Sequence, residues 1–477
     1  MNHDDLFSLL PLLVLAGSAV LVLFGLAFSK RRYETAFALS MAGLIAAALS
    51  LGLAWPLAPR RFTALLVLDR FAYLSMALTI AATIVVALMS FAYFRGRREE
   101  SGEFYFLLQL ACLGCAILGS SSSFASFFLG LELLSTPLFT LIGYRRDREA
   151  GVRSAFMYLI LAGVSSAFLL FGMALVYLET GSLDISAAAR AASAGQGFAV
   201  LAGLALMTVG IGFKLAVAPF HVWTPDIYDG APAPATAFIA TASKGAMAVL
   251  LVRFFAPAGI ASVGPFAWIF ALIAAVSMFT GNILALREGN LKRLLAYSSI
   301  AHLGYILVAF VASGSAAGAA VSFYLVAYFV SNLGAFAAVS GLSTDASEAD
   351  SIESYRGLAA RHPWTAAALT ASLLSLAGLP LTAGFMGKFV IFAAGAGALL
   401  WVLIVILAVN STISIFYYLR VVSALYRPAP EAGPGSARPG LPALAALALG
   451  AMAVAIIVIG VLPDSLIAFV REVAATL

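Results

Sequence analysis

Four ionisable side chains lie inside long apolar stretches of this sequence: Glu132, Lys214, Lys244 and Lys388. A charge at the centre of a bilayer costs about 2.5–3.5 kcal/mol on insertion scales, so such residues often mark ion or proton pathways. A desolvated lysine can release its proton, whereas arginine stays protonated. The chain has five lysines against 22 arginines, yet three lysines and no arginine lie in apolar stretches. We therefore predict a chain of titratable groups that transfers protons.

His302 lies in another apolar stretch, AYSSIAHLGYIL, beside Ser298, Ser299 and Tyr305. Because an unperturbed imidazole titrates near pH 6.5, it could relay protons between lysines on either side. The alternative is a hydrogen-bonded packing residue. Structural alternatives also remain open for the other residues: a static ion pair between Glu132 and a lysine, or a lysine side chain extended toward the membrane surface.

Composition places these residues in a membrane. The 477 residues are 63% hydrophobic and 10% charged, with a mean hydropathy of +1.03, which excludes an ordinary soluble domain. About 20 apolar residues suffice to cross a hydrocarbon core of about 30 Å. The sequence predicts an all-α polytopic membrane protein with about 14 transmembrane helices. The predicted spans are 6–28, 35–55, 72–94, 104–119, 123–143, 154–178, 198–220, 235–256, 262–284, 292–311, 316–341, 364–394, 398–420 and 440–463.

Charge in the loops predicts the orientation. Alternating loops on one side hold eighteen of the 27 lysines and arginines, Lys292 and Arg293 among them, and the opposite side holds six. The positive-inside rule assigns the arginine-rich side to the cytoplasm, with both termini on the other side. Since the basic residues lie in short loops, the net charge of +5 gives no reason to expect a nucleic-acid partner.

Two predicted spans contain helix-breaking residues. The seventh runs into Pro219 and Pro225, and the twelfth contains Gly378 and Pro380. Non-helical backbone at membrane depth is tolerated where protein or water satisfies it, and broken helices often mark transport sites. The breaks lie five spans apart, and an odd spacing predicts opposite directions through the bilayer. We predict two inverted five-helix repeats that pair Lys214 with Lys388, and the segments 1–103, 104–256, 257–426 and 427–477.

The sequence gives little support for a metal, iron–sulfur, nucleotide or haem site. Cys112 and Cys115 are too few for a cysteine-ligated metal or iron–sulfur site, which favours a packing role. No phosphate-binding G-x-x-x-x-G-K-[ST] loop, dinucleotide fingerprint or haem-attachment motif occurs in the sequence. The polar stretches 342–362 and 427–440 are predicted to be loops, and the second is typical of a flexible linker.

Several phrases resemble the antiporter-like membrane subunits of respiratory complex I. They are FFLGLELLS, HVWTPDIYDGAPAPATAFIATASK, NLKRLLAYSSIAHLGYI and GLPLTAGFMGKF. The resemblance implies fourteen helices, with helices 7 and 12 discontinuous in two inverted repeats. It also implies proton-transfer roles for a glutamate of helix 5, lysines of helices 7, 8 and 12, and a histidine of helix 10. These fall on Glu132, Lys214, Lys244, Lys388 and His302.

The resemblance further implies a proton-translocating subunit of NADH:quinone oxidoreductase in a bacterial inner membrane, with both termini periplasmic. The partners would be the phospholipid membrane and other membrane-arm subunits, including a neighbouring antiporter-like subunit. FMN, iron–sulfur clusters, NADH and quinone would bind to partner subunits, with no cofactor or metal on this chain. Two alternatives stay open: a subunit of a multisubunit cation/proton antiporter, which shares the same core, and a structural subunit that passes no ions.

Overall fold

A computed structural model describes residues 3–95, 97, 102–194, 197–255, 265–344, 348–428 and 441–477. Those residues form twenty α-helices and one pair of short strands. The helices are α1 (His3–Phe28), α2 (Arg32–Ala54), α3 (Arg70–Phe94), α4 (Glu103–Ser120), α5 (Phe124–Ile142), α6 (Glu149–Thr180), α7 (Ile185–Ser193), α8 (Phe198–Leu215), α9 (Thr224–Gly230), α10 (Ala233–Phe238), α11 (Lys244–Phe255), α12 (Pro265–Ala285), α13 (Leu291–Ala312), α14 (Gly314–Leu342), α15 (Leu358–Arg361), α16 (Pro363–Ala377), α17 (Ala383–Gly397), α18 (Trp401–Tyr426), α19 (Ala443–Val461) and α20 (Asp464–Ala474). The strands are β1 (Arg60–Phe62) and β2 (Leu66–Leu68).

The predicted all-α membrane architecture is confirmed. Within the described residues, thirteen helical segments are long and apolar enough to cross a membrane. One of them, Ala233–Phe255, joins α10 to α11 through the π-helical turn Ile239–Ser243. The shorter apolar helices α16 and α17 occupy the predicted twelfth span, which brings the number of spans to fourteen.

Several elements lie outside the predicted spans: the strands β1 and β2 and the helices α7, α9, α15 and α20. Strands β1 and β2 form an antiparallel hairpin in which Arg60 pairs with Leu68. Helix α7 begins where the Asp184 carboxylate accepts a hydrogen bond from the Ser186 amide. Helix α20 follows the last predicted span, which ends at residue 463. Residues 429–440, most of the predicted linker, lie outside the described residues.

The seventh span is interrupted, as predicted, but its first helix ends at Leu215 rather than near residue 220. Ala216 adopts a left-handed conformation at φ 60°, and Val217 donates to the Gly212 carbonyl at 3.1 Å. Such a left-handed residue is a common way to end a helix. The chain resumes helical structure at Thr224 in α9.

One end of the bundle carries both chain termini. Near the N-terminus, Asp4 pairs with Arg60 at 2.7 Å, and near the C-terminus, Glu472 pairs with Arg70 at 2.5 Å. The hairpin lies at this end as well, because Arg60, the partner of Asp4, belongs to β1. We call it the terminal end.

The opposite end, called here the basic end, gathers the arginine-rich loops. Arg97 donates to the Ser343 carbonyl, and Arg148 lies 3.9 Å from Glu348. Asn290 forms an isolated β-bridge with Ser351. The loops after α3, α5, α12 and α14 therefore meet at one end, as the alternating topology predicts.

The two broken spans run in opposite directions between these ends. Helix α9 finishes the seventh span at the basic end, where Asp226 pairs with Arg293 at 2.6 Å. Helix α17 finishes the twelfth span at the terminal end, where Ala393 and Arg471 line one cavity of about 490 Å³. Opposite directions are what an inverted repeat requires.

The core of the bundle lies along α10, α11, α13 and α14, whose residues are largely buried. Helices α1, α6, α12 and α19 surround it and expose large apolar side chains such as Phe28, Phe171 and Trp268. Apolar outer faces of this extent suit lipid or other membrane subunits. The candidate site lies inside.

Candidate functional site

Lys214 lies in the last turn of α8, where unpaired helix carbonyls favour a cation. Its ammonium group is buried and donates to the Ser135 hydroxyl of α5 at 2.6 Å and to the Tyr158 hydroxyl of α6 at 3.0 Å. The break after Leu215 thus leaves a charged side chain in the bundle interior. Neutral hydroxyl groups from two other helices hold it there.

Glu132 lies in the middle of α5 but is only partly buried, whereas the sequence suggested a fully buried carboxylate. It accepts a hydrogen bond from the Ser166 hydroxyl at 2.9 Å and forms no ion pair with Lys214 in this structure. Leu129, one turn earlier on the same helix, is 62% exposed. Between the described residues, the static Glu132–lysine ion pair is therefore absent. This helix face lies near the surface of the bundle.

Lys244 follows the π-helical turn Ile239–Ser243 and is 1% exposed. Its ammonium group donates to the Ser299 hydroxyl at 2.6 Å and lies 5.1 Å from the centroid of the Tyr228 ring. The face of an aromatic ring attracts a cation. The Tyr228 hydroxyl also donates to Ser299, at 3.3 Å, so a hydroxyl pair sits beside the ammonium group.

His302 is buried in α13 between two tyrosines. Its Nδ1 is hydrogen-bonded to the Tyr324 hydroxyl at 2.6 Å, and its Nε2 lies 3.3 Å from the Tyr418 hydroxyl. The Tyr418 hydroxyl is in turn hydrogen-bonded to Ser298. Imidazole and hydroxyl groups can each donate and accept, so this cluster can pass a proton.

Lys388 belongs to α17 but reaches back across the break in its span. Its ammonium group donates to the Ala377 carbonyl at the end of α16, at 2.7 Å, and to the Ser411 hydroxyl at 3.0 Å. Gly378 between the half-helices has φ +82°, and a Cβ there would lie 2.9 Å from Nζ. Only glycine suits both the left-handed backbone and the neighbouring ammonium group.

The predicted pairing of Lys214 with Lys388 needs a correction in detail. Lys214 precedes the break in its span, and Lys388 follows the break in its own. Both ammonium groups nevertheless lie near the C-terminal end of the first half-helix, where partial negative charge accumulates. The two sites share an electrostatic setting rather than an equivalent sequence position.

The sequence prediction named Ser298, Ser299 and Tyr305 as neighbours of His302 but named no partner for the three lysines. The partners on α13 could have been found, because Ser298, His302 and Tyr305 follow the i, i+4, i+7 spacing of one helix face. Polar side chains from two other helices, called here the polar layer, are hydrogen-bonded to this face. Asn282 donates to the hydroxyl of Tyr305 at 3.1 Å and to Asn410 Oδ1 at 3.1 Å. The layer continues the polar interior toward Lys388, whose Nζ lies 5.2 Å from the Tyr305 ring centroid.

Buried charge is not confined to the predicted residues, which corrects the sequence interpretation. Arg253 and Asp69 form a bidentate ion pair with both contacts at 2.7 Å. Lys292, assigned above to a loop, is 0% exposed and lies 3.5 Å from buried Glu348. Among the described buried lysines, Lys292 thus has a carboxylate partner, whereas Lys214, Lys244 and Lys388 have neutral partners.

Cys112 and Cys115 are free and fully buried, and Cys115 contacts the Ala242 carbonyl through its sulfur. This placement is that of packing residues. Among the described residues, no group of three or more His, Cys, Asp or Glu side chains could hold a metal ion.

A sequence model described as "NADH:quinone oxidoreductase/Mrp antiporter, TM" matches residues 121–414, more than half of the chain. The chain belongs to this family. The matched part of the NADH:quinone oxidoreductase/Mrp antiporter family contains all five predicted site residues.

Curated relatives within this family match over nearly the whole chain. NADH-quinone oxidoreductase subunit N of Methylococcus capsulatus is 46% identical over 476 residues, which is 98% of this chain and 95% of the relative. The protein of the same name from Ectopseudomonas mendocina is 43% identical and covers 90% of this chain and 88% of its own length.

Solved structures agree on the fold of the family. A chain of respiratory complex I from Thermus thermophilus with bound aureothin superposes with a TM-score of 0.83 at 34% identity, covering 96% of this chain and 98% of that one. A chain of the Mrp complex from Dietzia sp. superposes with a TM-score of 0.86 over 100% of this chain and 98% of its own length. At 20% identity, the Mrp likeness concerns the fold alone.

Proposed function

We propose that this chain is subunit N of a bacterial NADH:quinone oxidoreductase, the respiratory complex I, and that it moves protons across the inner membrane. Electron transfer from NADH to quinone takes place in partner subunits, which hold the FMN and iron–sulfur clusters. The observation that carries the proposal is that three buried lysines, Lys214, Lys244 and Lys388, have only neutral partners among the residues that the structure describes. The full-length likeness to subunit N of other bacteria supports it.

A neutral partner suits a transferring lysine for an electrostatic reason. A fixed carboxylate beside an ammonium group stabilises the protonated form and opposes proton release. A serine or tyrosine hydroxyl can instead accept a proton on one side and donate one on the other. Lys214, Lys244 and Lys388 each donate to at least one hydroxyl, at distances of 2.6 to 3.0 Å.

The proposed route runs through the interior from Lys214 to Lys388. A proton passes from Lys214 to Lys244, then through Ser299 and the His302 cluster, and on to Lys388. Ser298 and Ser299 are adjacent on α13 and contact His302's partner Tyr418 and Lys244, respectively. Ordered water completes the remaining steps, since water-mediated hydrogen bonds are nearly as favourable as direct ones. The two helix breaks provide the hydrated openings toward the membrane surfaces.

Glu132 would act on Lys214 as a movable charge. In this structure its carboxylate is bonded to Ser166, and Lys214 is bonded to Ser135 and Tyr158. A shift of Glu132 toward Lys214 would favour the protonated lysine, and a return to Ser166 would favour proton release. Energy from the redox reaction would drive this shift through neighbouring subunits.

The position of Glu132 also indicates that another protein subunit covers this part of the chain. A carboxylate in the middle of a span is costly against lipid, and the α5 face beside Glu132 includes the exposed Leu129. We propose that a neighbouring antiporter-like subunit covers this face. We further propose that the basic end faces the cytoplasm, that the terminal end faces the periplasm, and that 104–256 and 257–426 are the two inverted repeats.

The test uses inverted membrane vesicles that carry the complex with either the wild-type chain or Lys214→Ala, and Lys30→Ala as an exposed control. NADH-driven acidification is recorded beside NADH oxidation, with the amount of assembled complex measured. We expect Lys214→Ala to lower the protons moved per NADH while Lys30→Ala has no effect. Normal proton yield from a fully assembled Lys214→Ala complex would contradict the proposal. Sodium-driven, Lys214-dependent proton exchange without NADH would instead favour the cation/proton antiporter.

A further inference from the structure

A second cluster of buried charge surrounds Glu348 at the basic end, away from the proposed route. Glu348 is 4% exposed and accepts a hydrogen bond from the Tyr93 hydroxyl at the end of α3. Arg145 and Arg148, which follow α5, lie 4.0 and 3.9 Å from its Oε1. Its Oε2 lies 3.5 Å from Lys292 Nζ of α13. One carboxylate therefore contacts cations from both halves of the chain.

Lys292 connects this carboxylate to the broken seventh span. Its ammonium group donates to the Asp229 carbonyl at 2.8 Å and to the Ala231 carbonyl at 2.7 Å. These carbonyls lie at the C-terminal end of α9, where a cation is favourable. Two of the three ammonium donors hold the end of α9, and Lys292 is paired with Glu348 electrostatically, at 3.5 Å.

Further hydrogen bonds join the end of α9, the start of α13 and the segment that carries Glu348. Asn290 donates to the Asp229 carboxylate at 2.7 Å, and Leu291 donates to the Asp350 carbonyl at 2.5 Å. Ile352 donates to the Gly289 carbonyl at 3.0 Å. The start of α13 is thus held between the end of α9 on one side and the segment that carries Glu348 on the other.

Glu348 is suited to a permanent anionic role. Burial alone would raise its pKa, but Lys292, the Tyr93 hydroxyl and the nearby arginines together hold that pKa below the usual range of a glutamate. The carboxylate therefore stays ionised at neutral pH. A buried anion among several cations stabilises their positions, and its removal leaves buried charge uncompensated.

We propose that Glu348 is a positioning residue that keeps Lys292 on the α9 carbonyls and thereby fixes the turn between the broken seventh span and the helix that carries Lys244. That turn, between Gly230 and Ala233, connects α9 to α10, and α10 leads through the π-helical turn to Lys244. Glu348 does not itself carry a transferred proton. Its mechanical role follows from the contacts alone, and its importance for proton transfer rests on the proposed function.

The experiment measures amide hydrogen exchange in the purified, assembled complex with Glu348→Gln, and with Glu353→Gln as the control. Glu353 belongs to the same segment but is exposed, and within the described part of the chain its ion pair is with Arg356, three residues away, at 3.3 Å. We expect Glu348→Gln to accelerate exchange across 224–232 by about tenfold or more, because loss of a buried charge partner destabilises the elements it joins. Helix α1 and the Glu353→Gln complex should exchange at wild-type rates.

The second readout is the number of protons moved per NADH in vesicles, which should fall in Glu348→Gln. Unchanged exchange across 224–232, or equal acceleration in Glu353→Gln, would overturn the positioning role. Faster exchange with a normal proton yield would overturn its importance for transfer, while the Lys214→Ala result separately decides the proposed function. If Glu348→Gln does not assemble, Lys292→Met takes its place, because it removes the ammonium group from the α9 carbonyls. It should accelerate hydrogen exchange across the same residues, 224–232.

Discussion

At the scale of single residues, the partner of a buried cation distinguishes two kinds of site. Arg253 and Lys292 lie beside Asp69 and Glu348, and these pairs hold helices and loops together. Lys214, Lys244 and Lys388 donate to neutral oxygens. An ammonium group without a fixed counter-charge is costly to bury but easier to deprotonate. In the proposed function, the cost of burying these ammonium groups is offset by the need for each lysine to release its proton.

Tyr324 offers a test of the His302 cluster at this scale. Tyr324→Phe removes the hydroxyl that lies 2.6 Å from His302 Nδ1 and leaves the ring packing in place. The loss of one buried hydrogen bond costs about 1–3 kcal/mol, and a factor of ten in rate corresponds to about 1.4 kcal/mol. We expect coupled proton movement to slow by about tenfold in vesicles at an unchanged amount of complex.

The control for this substitution is Tyr177→Phe, since Tyr177 is exposed on α6. If Tyr324→Phe moved protons as fast as Tyr177→Phe, His302 would be a packing residue, the alternative that the sequence left open.

The charged members of the proposed site can be named from the sequence, but most of their partners cannot. A lysine in an apolar stretch is conspicuous, whereas serine and tyrosine occur on many faces of many helices. Ser135 and Tyr158, for example, come from α5 and α6 and meet Lys214 only through packing. Lys292 was assigned to a loop because it lies at the start of a span, and only the tertiary contacts with α9 and Glu348 show that it is buried.

At the scale of elements, the breaks in the seventh and twelfth spans bring helix ends into the bundle interior. An intact helix satisfies its own carbonyls, but a broken one presents its last carbonyls to whatever lies nearby. Lys388 binds one such carbonyl, that of Ala377, and Lys214 lies in the last turn before the other break. The breaks thus create local negative potential where the ammonium groups lie.

Gly384 tests how tightly the twelfth span is folded at its break. A Cβ at this position would lie 1.8 Å from the Ser375 carbonyl oxygen, a backbone atom that cannot move aside cheaply. We expect Gly384→Ala to destabilise the chain by about 1–3 kcal/mol, the usual cost of overpacking. The measurement is the temperature at which the purified complex loses this subunit.

Gly163→Ala on α6 is the matched control, because nothing lies within 4 Å of the added methyl group. It should leave that temperature unchanged or raise it slightly, since alanine favours a helix. Equal thermal stability of the two variants would show that the half-helices are not closely packed.

The spans themselves were predictable because bilayer thickness sets their length. The hairpin of β1 and β2, α7 and α20 were not, since short elements at a membrane surface carry little apolar signal. The exact end of α8 depends on the left-handed conformation of Ala216. An alanine in a sequence does not indicate that conformation, because it is unfavourable for residues other than glycine. Proline and glycine indicated where the breaks would be, but not which half-helix would carry each lysine.

At the scale of the whole molecule, the two ends of the bundle differ in charge, and this difference predicts their orientation. Ala475→Cys places an exposed thiol at the terminal end, and Arg146→Cys places one at the basic end. The native Cys112 and Cys115 are fully buried, so background labelling should be low. An impermeant thiol reagent added to intact, outer-membrane-permeabilised cells should label Ala475→Cys only.

Inverted vesicles should give the reverse result, with labelling of Arg146→Cys alone. Labelling of both cysteines from one side would contradict the alternating topology. Labelling of Arg146→Cys in intact cells would contradict the assignment of the basic end to the cytoplasm by the positive-inside rule.

The most direct test of the account is the proton yield of a complex that carries Lys244→Met, because Lys244 is the most deeply buried lysine of the proposed route. Methionine preserves much of the shape and apolar packing but cannot hold a proton. The yield per NADH is compared with that of wild type and of Lys30→Met, whose side chain is exposed. The account predicts a lower yield for Lys244→Met alone, with NADH oxidation continuing in an assembled complex. An unchanged yield in that complex would show that protons do not pass through the buried lysines.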